Sequence, residues 1–197
     1  MNARRRARAT CRPRFLILAS ALAATLSGCA RADTPEATAF PLLETTIAAV
    51  HAALERGQQS CEAIVNAYLQ RIETYDKSTG LNAVIFTNPR AVDRARAIDA
   101  RIAAGEKLGE LHCVPVLLKD NFDTADMPTS GGSIALKDSV PPDDAFMVRR
   151  LREADAIILA KTNMAEWAFS PRQTVSSSYG RTANAYALDR VPAGSSG

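Results

Sequence analysis

Two glycine-serine stretches and two lysines carry the chemistry this sequence can offer. Residues 129–133 read TSGGS and residues 193–197 read AGSSG. In both, small side chains leave hydroxyls and backbone amides open to close approach. Lys119 and Lys161 each end an apolar run, VPVLL from residue 114 and AIILA from residue 156. A lysine in that place is either a surface cation capping a sheet edge or a buried amine. Burial penalises the charged form, lowers the pKa and leaves a base. For Lys161 the surface cation is the expectation; for Lys119 both readings stand on position alone.

Other chemistries lack their parts. Neither serine stretch has the lysine and spacing of a phosphate-binding P-loop. His51 and His112 are the only histidines, and neither stands near a G-x-S-x-G elbow or in a metal-binding spacing, so a histidine-based hydrolase and a zinc site are not expected. Serine working with lysine remains.

The elements that must position these residues follow from periodicity. Ile47, Val50 and Leu54 recur at helical spacing, with Gly57 as a stop. Ser60 caps a second predicted helix carrying Ile64, Ala67, Tyr68, Arg71 and Ile72. Residues 83–86 (AVIF) predict a strand. A helix over 91–104 ends at Gly105, and its arginines alternate with Asp93 and Asp99 as a solvated face. Residues 114–118 predict a buried strand. Asp143 or Asp144 caps the helix in DAFMVRRLREA, with Phe146, Val148 and Leu151 toward a core, and residues 156–160 predict a further apolar strand. Strand, helix and strand at these lengths give an α/β fold with a parallel or mixed sheet, whose active edge lies at the C-terminal ends of the strands. Lys119 and Lys161 both fall there.

At 197 residues, 47% hydrophobic and 23% charged, the chain suits one globular domain. The formal charge of +3 misleads. Six of the 24 basic residues precede residue 29 and no acidic residue does, which leaves 18 basic against 21 acidic residues in the remainder. A nucleic-acid partner is therefore not expected. Residues 1–28 read as a signal peptide, a basic start followed by the apolar run 15–26. LSGC at 26–29 resembles a bacterial lipobox, which makes Cys29 the lipidation site and residues 29–41 a proline-punctuated tether to a domain over 42–197. The expectation is an exported, periplasmic protein held at the outer membrane by its N-terminal lipid anchor. Cys61 and Cys113 remain, either paired in that oxidising compartment or as two separate buried thiols.

Three segments then carry a resemblance. GELHCVPVLLKDNFDTADMPTSGGS, DDAFMVRRLREADAIILAKTNMAEWA and GRTANAYALDRVPAGSSG stand in that order. They resemble the lysine segment, the Thr-Asn-x-x-Glu-Trp segment and the approach to the Gly-Gly-Ser-Ser-Gly-Gly loop of the amidase signature family. The resemblance implies that family's α/β/α sandwich with a mixed sheet, present as its N-terminal portion. It implies a Ser, cis-Ser, Lys triad that hydrolyses amides, with Lys119 as catalytic lysine and Ser195 as bridging serine. The neutral lysine takes a proton from the bridging serine, which activates a nucleophilic serine, and this works near neutral pH only in a site dry enough to depress the lysine pKa. In the family the nucleophile lies farther along than Gly197, so residues 1–197 alone are expected to be inactive.

Ala193 replaces a family glycine, and Ala185 a family proline. Ser170 takes a place where relatives contact substrate, and Thr129 and Ser130 are candidates to line the cleft, with structural turns as the alternative for all three. The resemblance implies a small-molecule or peptide amide as substrate, leaning toward peptide-amidase-like members, and no metal or organic cofactor. Two rival functions are a non-catalytic binding or scaffold protein on the same fold, and the ammonia-supplying component of tRNA-dependent amidation. The export signal opposes the second.

Overall fold

The computed structural model describes residues 40–197. The signal segment, Cys29 and most of the tether lie outside the described residues. Helix α1 (Ile47–Glu55) starts at Thr46, whose hydroxyl accepts from Ala49 N at 3.1 Å, and α2 (Cys61–Tyr75) starts at Ser60, whose hydroxyl accepts from Ala63 N at 3.0 Å. Each cap satisfies an amide that a helix start leaves without a partner. Strand β1 (Val84–Thr87), α3 (Ala91–Ala103), β2 (Pro115–Lys119), α4 (Phe146–Glu153) and β3 (Ile157–Thr162) follow, then the two-residue strands β4 (Val175–Ser176) and β5 (Gly180–Arg181).

β3 is the middle of the three-stranded sheet, antiparallel to β1 and parallel to β2. Helices cover both faces. On one, Val50, Leu54, Ile64, Val65 and Ile98 pack with Ile157 and Leu159, and fully buried Ala91 and Ala95 let α3 come close to α2. On the other, Val148 of α4 packs with Leu118, Met127 and Ile158. Each fully buried side chain of this size contributes about 1.5–3 kcal/mol relative to exposure, so the three layers hold the sheet edge that carries the lysines. Cys61 and Cys113 are joined as a disulfide with Cα atoms 5.4 Å apart, tying the start of α2 to the approach to β2.

Several local expectations need correction. β2 is only partly buried, with Leu117 49% exposed. Neither Asp143 nor Asp144 caps α4; its N-cap is Ala145, without a side-chain bond. Asp144 instead accepts from Ala125 N at 2.9 Å and pairs with Arg152 Nε at 2.9 Å. Phe146 is 65% exposed, because the inward stripe runs through Val148 and Leu151 and a residue two before Val148 is turned away by about 200°. The face of α3 is not wholly solvated either. Asp99 reaches back to α2 and accepts from Cys61 N at 2.7 Å and Glu62 N at 2.9 Å, a carboxylate set at the positive end of a helix dipole.

Candidate active site

Lys119 is the last residue of β2 and half-buried. Its Nζ donates to Ser195 Oγ at 2.6 Å across 76 residues of sequence. Ser195 is held from three directions. Its carbonyl accepts from Ala165 N at 2.9 Å, Ser196 forms an antiparallel bridge with Met164, and Thr174 Oγ1 donates to Ala193 O at 3.0 Å. Residues 193–196 thus lie beside the chain that leaves β3, so both members of the pair are fixed to one sheet edge. The Gly194–Ser195 peptide is cis. At Gly194 an added Cβ would stand 2.1 Å from Ser170 O and 2.7 Å from Gln173 O, which no side chain tolerates. Ala193 takes φ +74°, a left-handed conformation that strains an L-residue and would not strain a glycine.

The second lysine is not a surface cation. Lys161 is 0% exposed. Its Nζ donates to Phe122 O at 2.8 Å, Thr129 Oγ1 at 2.8 Å and Pro128 O at 3.2 Å, and lies 3.3 Å from Asp120 Oδ1. Burial pushes this amine below its ordinary value, and the Asp120 carboxylate opposes the shift. The departure from expectation has a clear cause: two of the partners are backbone carbonyls of a loop 39 and 33 residues earlier, and side-chain patterns do not display carbonyls. Asp120, also buried, was no sequence candidate. Its other oxygen accepts from Ser130 Oγ, from Ser130 N at 3.2 Å and from Gly132 N at 3.3 Å. The signal that could have found both residues is a charge set directly against an apolar strand, as in LLKD and ILAK.

Thr129 and Ser130 are therefore engaged internally, Thr129 Oγ1 between Lys161 and Phe122 O, and Ser130 on Asp120. Ser170 Oγ accepts from Arg172 N and Gln173 N, both at 3.3 Å, and so shapes the turn beneath Gly194. Glu166 Oε2 accepts from Ser177 N at 3.1 Å; the Ser177 hydroxyl, then that of Ser133, hold its carboxyl below the usual range. Gly132, at φ +79°, passes so close to Glu166 Cα and Met164 O that an added Cβ would meet them at 3.0 and 3.1 Å. Trp167 N donates to Gly131 O at 2.9 Å and its ring is exposed beside that glycine.

Among the described residues no group of three or more His, Cys, Asp or Glu side chains converges to hold a metal. His51 and His112 stack on each other with ring centroids 3.8 Å apart. A cavity of about 710 Å³ opens elsewhere, between α1, α2 and the sheet, lined by Val50, Tyr68, Ile72, Leu117 and Leu159 among others, and contains neither Lys119 nor Ser195. What the edge itself offers is an amine in contact with a hydroxyl, the parts of a proton relay.

Comparison with known proteins places the chain in a family. A family model described as Amidase matches residues 63–197. A subunit of the glutamyl-tRNA(Gln) amidotransferase of Acidothermus cellulolyticus is 41% identical over 157 residues, covering 79% of this chain and 30% of that protein. Its counterpart in Thermobifida fusca is 44% identical over 156 residues, covering 79% and 31%. Among solved structures, native peptide amidase from Stenotrophomonas maltophilia superposes with a TM-score of 0.73 at 43% identity, covering 80% of this chain and 33% of that one. An amidase family protein from Bacillus anthracis gives 0.69 at 35% identity, covering 75% and 30%. The chain spans about a third of the length of the relatives it matches.

Proposed function

The chain belongs to the amidase signature family, and from that premise we propose that it carries two members of an amide-hydrolysing relay, Lys119 and Ser195. The observation that carries this reading is the 2.6 Å contact between Lys119 Nζ and Ser195 Oγ. With the amine neutral, the same contact passes the Ser195 proton to Nζ, and Ser195 Oγ in turn takes the proton of a nucleophilic hydroxyl as that oxygen bonds to the amide carbon. When the tetrahedral adduct collapses, the C–N bond breaks and the proton returns through Ser195 to the leaving nitrogen. In this relay the nucleophile is a third hydroxyl, set beside the groups around which transition-state charge develops.

The substrate class is a small-molecule or peptide carboxamide, and the protein is exported and lipid-anchored through Cys29. Two features support that address against tRNA-linked ammonia transfer, which is cytoplasmic. One is the signal-like composition of residues 1–28. The other is the Cys61–Cys113 disulfide, a bond that persists in oxidising compartments and is rare in reducing ones.

The test is to express the protein at the length its gene encodes and to measure ammonia release from simple carboxamides beside Lys119→Ala. Release that Lys119→Ala lowers by about 10³-fold or more, the scale on which removal of a relay member acts, supports the reading. A folded protein that releases no ammonia from any carboxamide overturns it in favour of a non-catalytic binding protein.

A further inference from the structure

We propose that the buried ion pair of Lys161 and Asp120 is the positioning element of the relay, a single anchor to which the backbones of both Lys119 and Ser195 are tied. The inference rests on the relay above for its catalytic consequence, but not for its structural one.

The path to Lys119 is short. Asp120 is the next residue, and its N–H donates to Thr162 O at 3.2 Å, so the strand end that presents Lys119 is pinned to β3 by the residue carrying the buried carboxylate. Paired positions on β2 and β3 set Leu118 beside Lys161 and Lys119 beside Thr162. Successive strand residues face opposite sides, so Lys119 and Lys161 leave the same edge on opposite faces, one toward Ser195 and one into the polar nest.

The path to Ser195 runs through the glycine loop. Lys161 Nζ holds Phe122 O, Pro128 O and Thr129 Oγ1, and Asp120 holds Ser130 and the N–H of Gly132. Gly131 N also donates to Asp120 O at 3.1 Å. Thus fixed, Gly131 accepts from Trp167 N, and Gly132 packs against Met164 O and Glu166 Cα. The 164–167 segment in turn supplies Ala165 N to Ser195 O and the bridge between Met164 and Ser196. From Lys161 to Ser195 every step is a hydrogen bond or a close backbone contact.

Lys161 itself is no second base. It has no exposure, and its donors are taken by two carbonyls, a hydroxyl and a carboxylate. A lone buried ion pair is weak support for stability, since well-packed apolar replacements often do as well. A role in fixing geometry is what the arrangement serves, and a misplacement of about 1 Å in such a pair can cost about 10²-fold in rate.

The experiment uses the protein at its encoded length, with Lys161→Met and the double variant Lys161→Met/Asp120→Asn, which leaves no unpaired buried charge if the single variant fails to fold. Two readouts are taken at a temperature where circular dichroism shows the variant folded. Steady-state kinetics on a carboxamide, with kcat referred to the folded fraction read by circular dichroism, should show kcat reduced by about 10²-fold with KM within about threefold. Amide hydrogen exchange should show protection at Gly131, Ala165 and Trp167 reduced by about tenfold or more while α2 amides stay unchanged. Either folded variant with kcat within twofold of the parent, or with exchange unchanged at those three amides or raised equally in α2, overturns the proposal. If the parent itself releases no ammonia, the relay reading fails and the exchange pattern still decides whether the pair holds the loop.

Discussion

Lys119 and Lys161 end neighbouring strands of one sheet, and their surroundings differ in every respect that matters to chemistry. Lys119 is half-buried and has one polar contact, a hydroxyl on a loop 76 residues farther along. Lys161 is wholly enclosed and surrounded by acceptors supplied by Asp120 and the loop that follows it. An amine with a single hydroxyl partner has a group with which to exchange a proton; an amine enclosed by four acceptors can only hold them. Strand position alone therefore does not separate the two lysines, and the number and kind of their partners do.

Substitutions can break this contrast. Lys119→Ala should remove activity in the assay above, and because the side chain is half-buried with a single hydroxyl partner, thermal unfolding should move by no more than about 1 kcal/mol. Asp120→Ala should do the opposite in stability, costing about 3–5 kcal/mol in denaturant titration by leaving Lys161 as an unpaired buried cation. That loss depends on pH in a definite direction. The folded amine has a pKa below its ordinary 10.5, so between the two values the unfolded chain binds the proton more readily and stability rises with pH. Without the carboxylate that opposes the shift the window widens, and the rise in the Asp120→Ala variant should start at lower pH than in the parent. A flat profile in both would mean that Lys161 is not held as described.

Away from the lysines the effects are smaller and should leave the contrast intact. Reduction of the disulfide, or Cys61→Ser with Cys113→Ser, reopens a link between residues 52 apart and should cost about 2–4 kcal/mol in denaturant titration. The 2.6 Å contact does not depend on that bond, so kcat measured below the lowered Tm should stay within about twofold. Ala193→Gly relieves a left-handed alanine and should stabilise by about 1 kcal/mol, read as a rise in Tm.

What the sequence disclosed and what it hid divide along the same line. The cap at Ser60 and the rhythm of α2 depend on residues three or four apart, and they stand where expected. So do the apolar β3 and the parallel pairing with β2, since a strand, helix and strand of these lengths leave little else to form. Lys119 and Ser195 were reached through resemblance to a family, not through periodicity. The departures involve partners that come from elsewhere in the chain. Asp144 caps nothing because Arg152 and the amide of Ala125 take its carboxylate. Asp99 is drawn from the solvated face of α3 by the open amides of α2. Lys161 is buried because loop carbonyls and Asp120 meet it there, and the pairing of Cys61 with Cys113 depends on a distance that spacing in the chain does not encode.

Gly194 sets a limit on how this site can evolve. The carbonyl of Ser170 occupies the place where any side chain at 194 would begin, so in a saturation library that position should return a single viable residue. Its neighbour at 193 already departs from glycine and is free to drift, at the modest expense of an awkward backbone. Variation at these two positions is thus channelled to residue 193. A lineage that needs a new pocket shape beside Ser195 must first move the turn at Ser170, because no sequence change at Gly194 itself can reach one.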